Sequence, residues 1–113
     1  MPFPEPIRRL PRASLKEATV FVHDGPGTQV LFIEAPEDRA VEVPTHTHDV
    51  EWGFVVRGEI LMDLNGRKES HPAGTEHLIP AQLPHSFRFA PGTMSVHYFV
   101  ERRIALPARP VPG

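Results

Sequence analysis

Cysteine is absent from the 113 residues, so neither a disulfide framework nor a thiolate metal site can form, and any metal must be held by nitrogen and oxygen. No stretch approaches the roughly 18 consecutive apolar residues of a membrane-spanning helix. The opening MPFPEPIRRLPRAS also lacks an apolar run of signal-peptide length, so the expected location is cytoplasmic, with no membrane partner. Charge of one sign is lacking too: 12 Lys and Arg against 14 Asp and Glu leave a formal charge of -2. No basic stripe accompanies the short cluster Arg8, Arg9, Arg12, which reads as a solvated tail, and no nucleic-acid partner is expected. A chain this short encloses one modest core, not two.

What is abundant is proline and histidine. Half of the fourteen prolines lie at the two ends, in PFPEPIRRLP and LPARPVPG, where fixed φ and missing amide donors discourage regular structure. Residues 1–14 are therefore expected as an extended Pro-rich arm, 15–105 as a single barrel domain, and 106–113 as a Pro-rich tail. Within the body the apolar residues repeat with a period near two, and no helical spacing persists beyond a turn. Strands are predicted at Ala18 to His23, Gln29 to Glu34, Arg39 to Val43, Glu51 to Arg57, Glu59 to Leu64, His77 to Pro80, Ser86 to Ala90 and Met94 to Glu101. Asn65 and Gly66 suit the two positive φ values of a tight hairpin, so Glu59 to Leu64 should fold back on Arg67 to His71. Many short strands with Gly and Pro punctuation point to an all-β sandwich, jelly roll or barrel.

Seven histidines stand against one tyrosine and one tryptophan, and imidazole is the commonest protein metal ligand. His46 and His48 are one residue apart, and a strand places such side chains on one face about 7 Å apart. Glu51 follows soon after and adds a hard carboxylate. Two or three histidines with one carboxylate suit zinc, iron, manganese or nickel better than magnesium or calcium. Parity opposes this grouping, because in one continuous strand Glu51 faces away from His48. The chain must then turn or bulge at Asp49 and Val50, and Asp49 is a possible substitute ligand. In EWGFVVRG, Trp52, Phe54 and Val56 share one face, while Glu51, Gly53, Val55 and Arg57 share the other, mixed one. Gly53 either leaves room beside polar groups inside a barrel or marks a plain bulge.

The segments PTHTHDVEWGFVVRGEI and AGTEHLIPAQLPHSF resemble the two consecutive motifs of the cupin superfamily, G-x5-H-x-H-x3,4-E-x6-G and G-x5-P-x-G-x2-H-x3-N. His46, His48, Glu51 and Gly58 match the first, and Gly74, Pro80 and His85 match the second. Ala40 replaces the leading glycine, only two residues separate His48 from Glu51, and Gln82 and Phe89 stand where the second motif has glycine and asparagine. The resemblance implies a double-stranded β-helix of jelly-roll type, commonly a homodimer, with a divalent transition metal held inside the barrel by His46, His48, Glu51 and His85.

Such a site with open coordination positions is the basis of metal-dependent catalysis on a small organic molecule, of the oxygenase, isomerase or lyase type. A non-catalytic binding or sensing module and a metal-free vestigial site are the alternatives. His97 is the candidate catalytic proton carrier, pointing into the barrel. His77 shares a face with Ile79 and either lines the pocket or packs; His23 and His71 border turns and are expected in solvent. Trp52 and Phe54 are expected in the core or a dimer interface.

Overall fold

Period-two patterning becomes strand wherever the alternating apolar residues find a second layer to cover them. The computed structural model describes residues 2–106, and in chain order these form α1 (Glu5–Arg8), β1 (Arg12–Leu15), β2 (Ala18–Gly25), β3 (Thr28–Glu34), β4 (Val41–His46), β5 (Glu51–Arg57), β6 (Glu59–Leu64), β7 (Arg67–Pro72), β8 (Glu76–Ile79), β9 (His85–Phe89) and β10 (Met94–Phe99). The strands make a six-stranded sheet, in the order β1-β2-β3-β10-β5-β8, and a four-stranded sheet, in the order β4-β9-β6-β7. Pairings within both are antiparallel. The architecture is the expected all-β jelly roll, and its core is the space between the two inner faces, filled by Val20, Ile33, Val41, Val55, Ile60 and Phe89 among others. That buried apolar area is what drives the two sheets together.

Each predicted strand is present; Glu51–Arg57 and Glu59–Leu64 keep their predicted bounds, and the others shift at one or both ends. β4 starts at Val41 and runs on to His46, while β10 stops at Phe99. The Asn65-Gly66 hairpin forms as expected, with φ of 52° and 94° and Leu64 opposite Arg67.

The N-terminal segment departs from the expected extended arm. It holds α1, whose first turn tolerates Pro6, and then β1, which pairs with β2 from Arg12 opposite Phe21 to Leu15 opposite Ala18. The apolar residues between the prolines explain the change: Phe3, Ile7 and Leu10 pack on Phe21, Phe32 and Met94 on the outer face of the six-stranded sheet. Glu34 fastens the segment, accepting from the Phe3 amide at 2.9 Å and from the Arg8 guanidinium at 2.7 and 2.8 Å. At the other end, residues 107–113 of the expected tail lie outside the described residues.

Candidate metal centre

Three histidines converge by different local routes. β4 is an edge strand, which tolerates Pro44, and its pairing with β9 shifts register between Val43 and His46, bringing His46 opposite His85. His48 lies beyond the strand, in the four residues that carry the chain from the four-stranded sheet to β5 in the six-stranded one. His85 starts β9 and shares its inward face with Phe87 and Phe89. The ring centroids lie 5.2 Å apart for His46 and His48, 4.3 Å for His46 and His85, and 4.6 Å for His48 and His85.

The crossing between sheets removes the parity difficulty. Because β4 and β5 belong to opposite layers, His48 and Glu51 need not alternate about one strand, and both turn into the barrel, almost fully buried. Asp49, the expected substitute ligand, is exposed instead, and its Oδ1 accepts from the Val50 amide at 2.7 Å.

The hydrogen bonds of the three rings fix their polarity. Nδ1 of His46 donates to the Pro44 carbonyl at 2.9 Å, Nδ1 of His85 to the Leu83 carbonyl at 2.7 Å, and Nδ1 of His48 to the Asp49 carbonyl. A carbonyl only accepts, so in each neutral ring the proton sits on Nδ1 and the lone pair on Nε2. Nε2 of His48 and of His85 are buried with no hydrogen-bond partner. One donor atom from each of the three rings falls within 4.8 Å of the others. Two unpartnered buried imidazole nitrogens with a third ring within that distance fit a divalent transition metal, and the backbone carbonyls behind them are the usual orienting contacts of such ligands.

A second group lies beside the first, built by the other sheet. Glu51, His77 and His97 come from β5, β8 and β10, and Gly53 of β5 stands opposite both His77 and His97. A Cβ at Gly53 would lie 2.1 Å from Cε1 of His77, so the glycine is space for that ring and not a bulge. His77 Nε2 donates to Glu51 Oε2 at 2.9 Å, and His97 Nδ1 donates to the same oxygen at 2.7 Å. Ser95 and His97 Nε2 then meet at 2.7 Å, which leaves the hydroxyl as donor. Glu51 Oε1 is 3.2 Å from His48 Nε2, within ion-pair reach but without hydrogen-bond alignment, and it is the atom that joins the two groups.

Charge follows from these contacts. Burial opposes ionisation of Glu51, but the contacts from His48, His77 and His97 together outweigh it and hold the carboxyl well below the usual carboxylate range. Burial pushes His77 and His85 down, towards the neutral ring. For His48 burial also acts against the charged form, yet Glu51 and the Asp49 carbonyl prevail and raise it.

The structure thus brings His46, His48, His85, Glu51 and His97 together, and adds His77, whose contact with Glu51 the sequence did not reveal. Its only sequence signal was Gly53, a gap on a polar inner face. Of the remaining histidines, His23 is exposed, whereas His71 is largely covered and bonded to Glu69 at 2.9 Å. Trp52 is 39% exposed on the outer face, so it does not belong to the core. A cavity of about 230 Å³ opens onto the two groups, walled by Leu31, Ile33, Val43, Phe87, Phe89 and Phe99.

The family model described as cupin domain matches residues 30–100. KdgF from Halomonas sp. is similar in structure, with a TM-score of 0.73 and 18% identity over 85% of this chain and 90% of that one. An RmlC-like cupin from Shewanella frigidimarina gives 0.74 and 17% over 85% and 87%. A mutant of Bacillus subtilis oxalate decarboxylase OxdC gives 0.70 and 16%, over 88% of this chain and 30% of that one. No curated protein matches the sequence significantly.

Proposed function

The chain belongs to the cupin family, and from that premise we propose that it is a metal-dependent enzyme acting on a small organic molecule, with His46, His48, His85 and Glu51 as ligands of a divalent transition metal. The observation that carries this reading is the common polarity of the three imidazoles, each tied through Nδ1 to a carbonyl, with the buried Nε2 atoms of His48 and His85 unpartnered. Zinc, manganese, nickel or iron bound there supplies Lewis acidity and, in the case of iron, dioxygen chemistry.

The chain's own residues do the rest. His77 and His97 hold Glu51 ionised and aim its Oε1 at His48. Both nitrogens of His97 are engaged, so we assign it the positioning of Glu51 in place of proton transfer. The apolar walls exclude water from a bound molecule and strengthen every electrostatic contact inside. One observation favours the non-catalytic alternative, a binding or sensing module: His97, the candidate acid or base on the cavity wall, is taken up by its bonds to Glu51 and Ser95. Turnover of any ligand that binds the metal-loaded protein decides between them.

Elemental analysis of protein purified without an affinity tag tests the metal itself. We expect close to one equivalent; less than about a tenth, with no rebinding of added zinc, manganese, nickel or iron, ends the proposal. We also propose a homodimer formed through the outer face of the six-stranded sheet. There Leu78, Trp52, Tyr98 and Val30 lie side by side on β8, β5, β10 and β3, and Leu78 is 64% exposed. Light scattering should give twice the chain mass of 12.7 kDa.

A further inference from the structure

β10 ends at Phe99, yet the chain does not leave the barrel there. Gln29, on β3, is fully buried, and its amide is engaged on every side. Nε2 donates to Asp24 Oδ1 at 2.8 Å and to the Ile104 carbonyl at 2.9 Å, while Oε1 accepts from the amides of Arg103 at 2.8 Å and Ile104 at 2.9 Å. Four hydrogen bonds are the full capacity of a primary amide. One side chain therefore pins the segment after β10 across the mouth of the cavity, where Arg103 and Ile104 join its lining beside His46 and His48. Both residues lie beyond those that the cupin model matches.

The strap sets the charge of the mouth. The Arg103 guanidinium lies 6.0 Å from the centre of the Phe99 ring, which also lines the cavity. None of the ion pairs among the described residues includes Arg103. Glu51, on the cavity wall, is committed to its histidines, and Glu101, two residues before Arg103, accepts from the Asp49 amide at 2.9 Å. Apart from the histidines and Glu51, the wall facing Arg103 is mainly apolar. A cavity with an apolar body and one guanidinium at its rim matches a molecule with an apolar body and one anionic end. A planar carboxylate is the partner that a guanidinium grips through two parallel hydrogen bonds.

We propose that the site selects a small monocarboxylate with an apolar body, with Arg103 as the residue that recognises the carboxylate and Gln29 as the residue that positions Arg103. This rests on the metal-site reading only in taking the cavity beside His46, His48 and His85 as the place where the ligand binds.

Phenylacetate and its neutral analogue phenylacetamide are the probes, titrated calorimetrically into zinc-loaded protein, with zinc content measured on the same samples. Wild type should prefer phenylacetate by about tenfold or more, as expected for a charge-assisted pair. Arg103→Gln, a change at an exposed side chain, should bind zinc in full and lose the preference, with affinity for phenylacetamide unchanged. Gln29→Ala should lose most of it, and adding Arg103→Gln should then remove little more. Equal binding of the two probes by wild type, a preference that survives Arg103→Gln, or no binding of either probe overturns the proposal. A wild type that takes up no zinc yet prefers phenylacetate through Arg103 overturns the metal reading and leaves this one standing.

Discussion

Two groups of ionisable side chains share the barrel, and they differ in what their hydrogen bonds leave over. In the group of His46, His48 and His85, every identified side-chain hydrogen bond goes outward to backbone, which leaves ring nitrogens facing an interior they cannot satisfy. In the group of Glu51, His77 and His97 the bonds run inward, from two imidazoles to one carboxylate oxygen, and one buried nitrogen, His77 Nδ1, is left without a partner. Buried polar atoms without partners cost free energy, whereas a buried carboxylate with two donors is compensated. The first group, with two unpartnered nitrogens and no bond within it, is thus the more costly to the metal-free fold and the better suited to a ligand, while the second, with one, is bound together through Glu51. The sheets divide the labour in the same way: β4 and β9 supply two residues of the open group, and β5, β8 and β10 supply the closed one.

The comparison is broken most readily at His85. His85→Leu should lower metal affinity by more than about a hundredfold, beyond the range of outer-shell changes. It should leave the denaturation midpoint of the metal-free protein unchanged or raised, because an unpartnered nitrogen is replaced by apolar volume. Metal titration with retained affinity would show the ligand set to be wrong. His97→Phe, next in size, should lower metal affinity by about 10–100-fold and, unlike His85→Leu, also destabilise the metal-free protein by about 1–3 kcal/mol, since Glu51 loses a donor while buried. Equal stability costs for the two variants would erase the distinction between the groups.

Acidification of the metal-free protein sharpens the contrast. His77 and His85 are held below their ordinary value of 6.5, so below that pH the unfolded chain takes up protons that the folded chain refuses, and stability falls. His48 acts in the opposite sense, its contribution being full below 6.5 and lost as pH rises through its elevated folded value. Glu51 stabilises above its ordinary 4.5 and loses that contribution as pH falls through its depressed folded value. From about pH 6.5 the losses at His77 and His85 run against the gain at His48; once the His48 contribution is full, only losses remain, and Glu51 adds its own below 4.5. Urea midpoints at about pH 5.5 and 4 measure this, and a midpoint that rises from the first to the second contradicts the assignment. The smallest effect is at Gln82, which takes φ of 62° while its amide holds the His48 carbonyl at 2.7 Å. Gln82→Gly should relieve the left-handed strain and stabilise by up to about 1 kcal/mol, with metal affinity unchanged.

The fold was legible because strand periodicity and the Asn65-Gly66 turn are local signals. His46 and His48 were legible through their spacing with Glu51 soon after, and His85 only through the resemblance of its segment to the second cupin motif. The parity conflict of Glu51 assumed one strand where the chain changes sheets, which no local pattern records. His77 was obscured because a lone histidine beside Ile79 reads like packing, and its meeting with Glu51 depends on β8 lying next to β5. The N-terminal prolines outweighed Phe3, Ile7 and Leu10 in the sequence, and those apolar side chains prevail in the fold. The motif glycine replaced by Gln82 marks a backbone conformation that the chain has kept at some strain.

The position of β10 in its sheet has a consequence for biosynthesis. β3 and β5 do not pair with each other; each pairs with β10, which is made after every other strand among the described residues. Until residues 94–99 clear the ribosome, the nascent chain holds two open strand edges, and Glu51 lacks the donor that His97 brings. Closure then requires insertion between strands already made, a non-local step of the kind that folds slowly and is exposed to aggregation meanwhile. Chains cut short before Met94 should therefore be found in the insoluble fraction, and the interior charge becomes tolerable only when synthesis has passed the strand that completes the sheet.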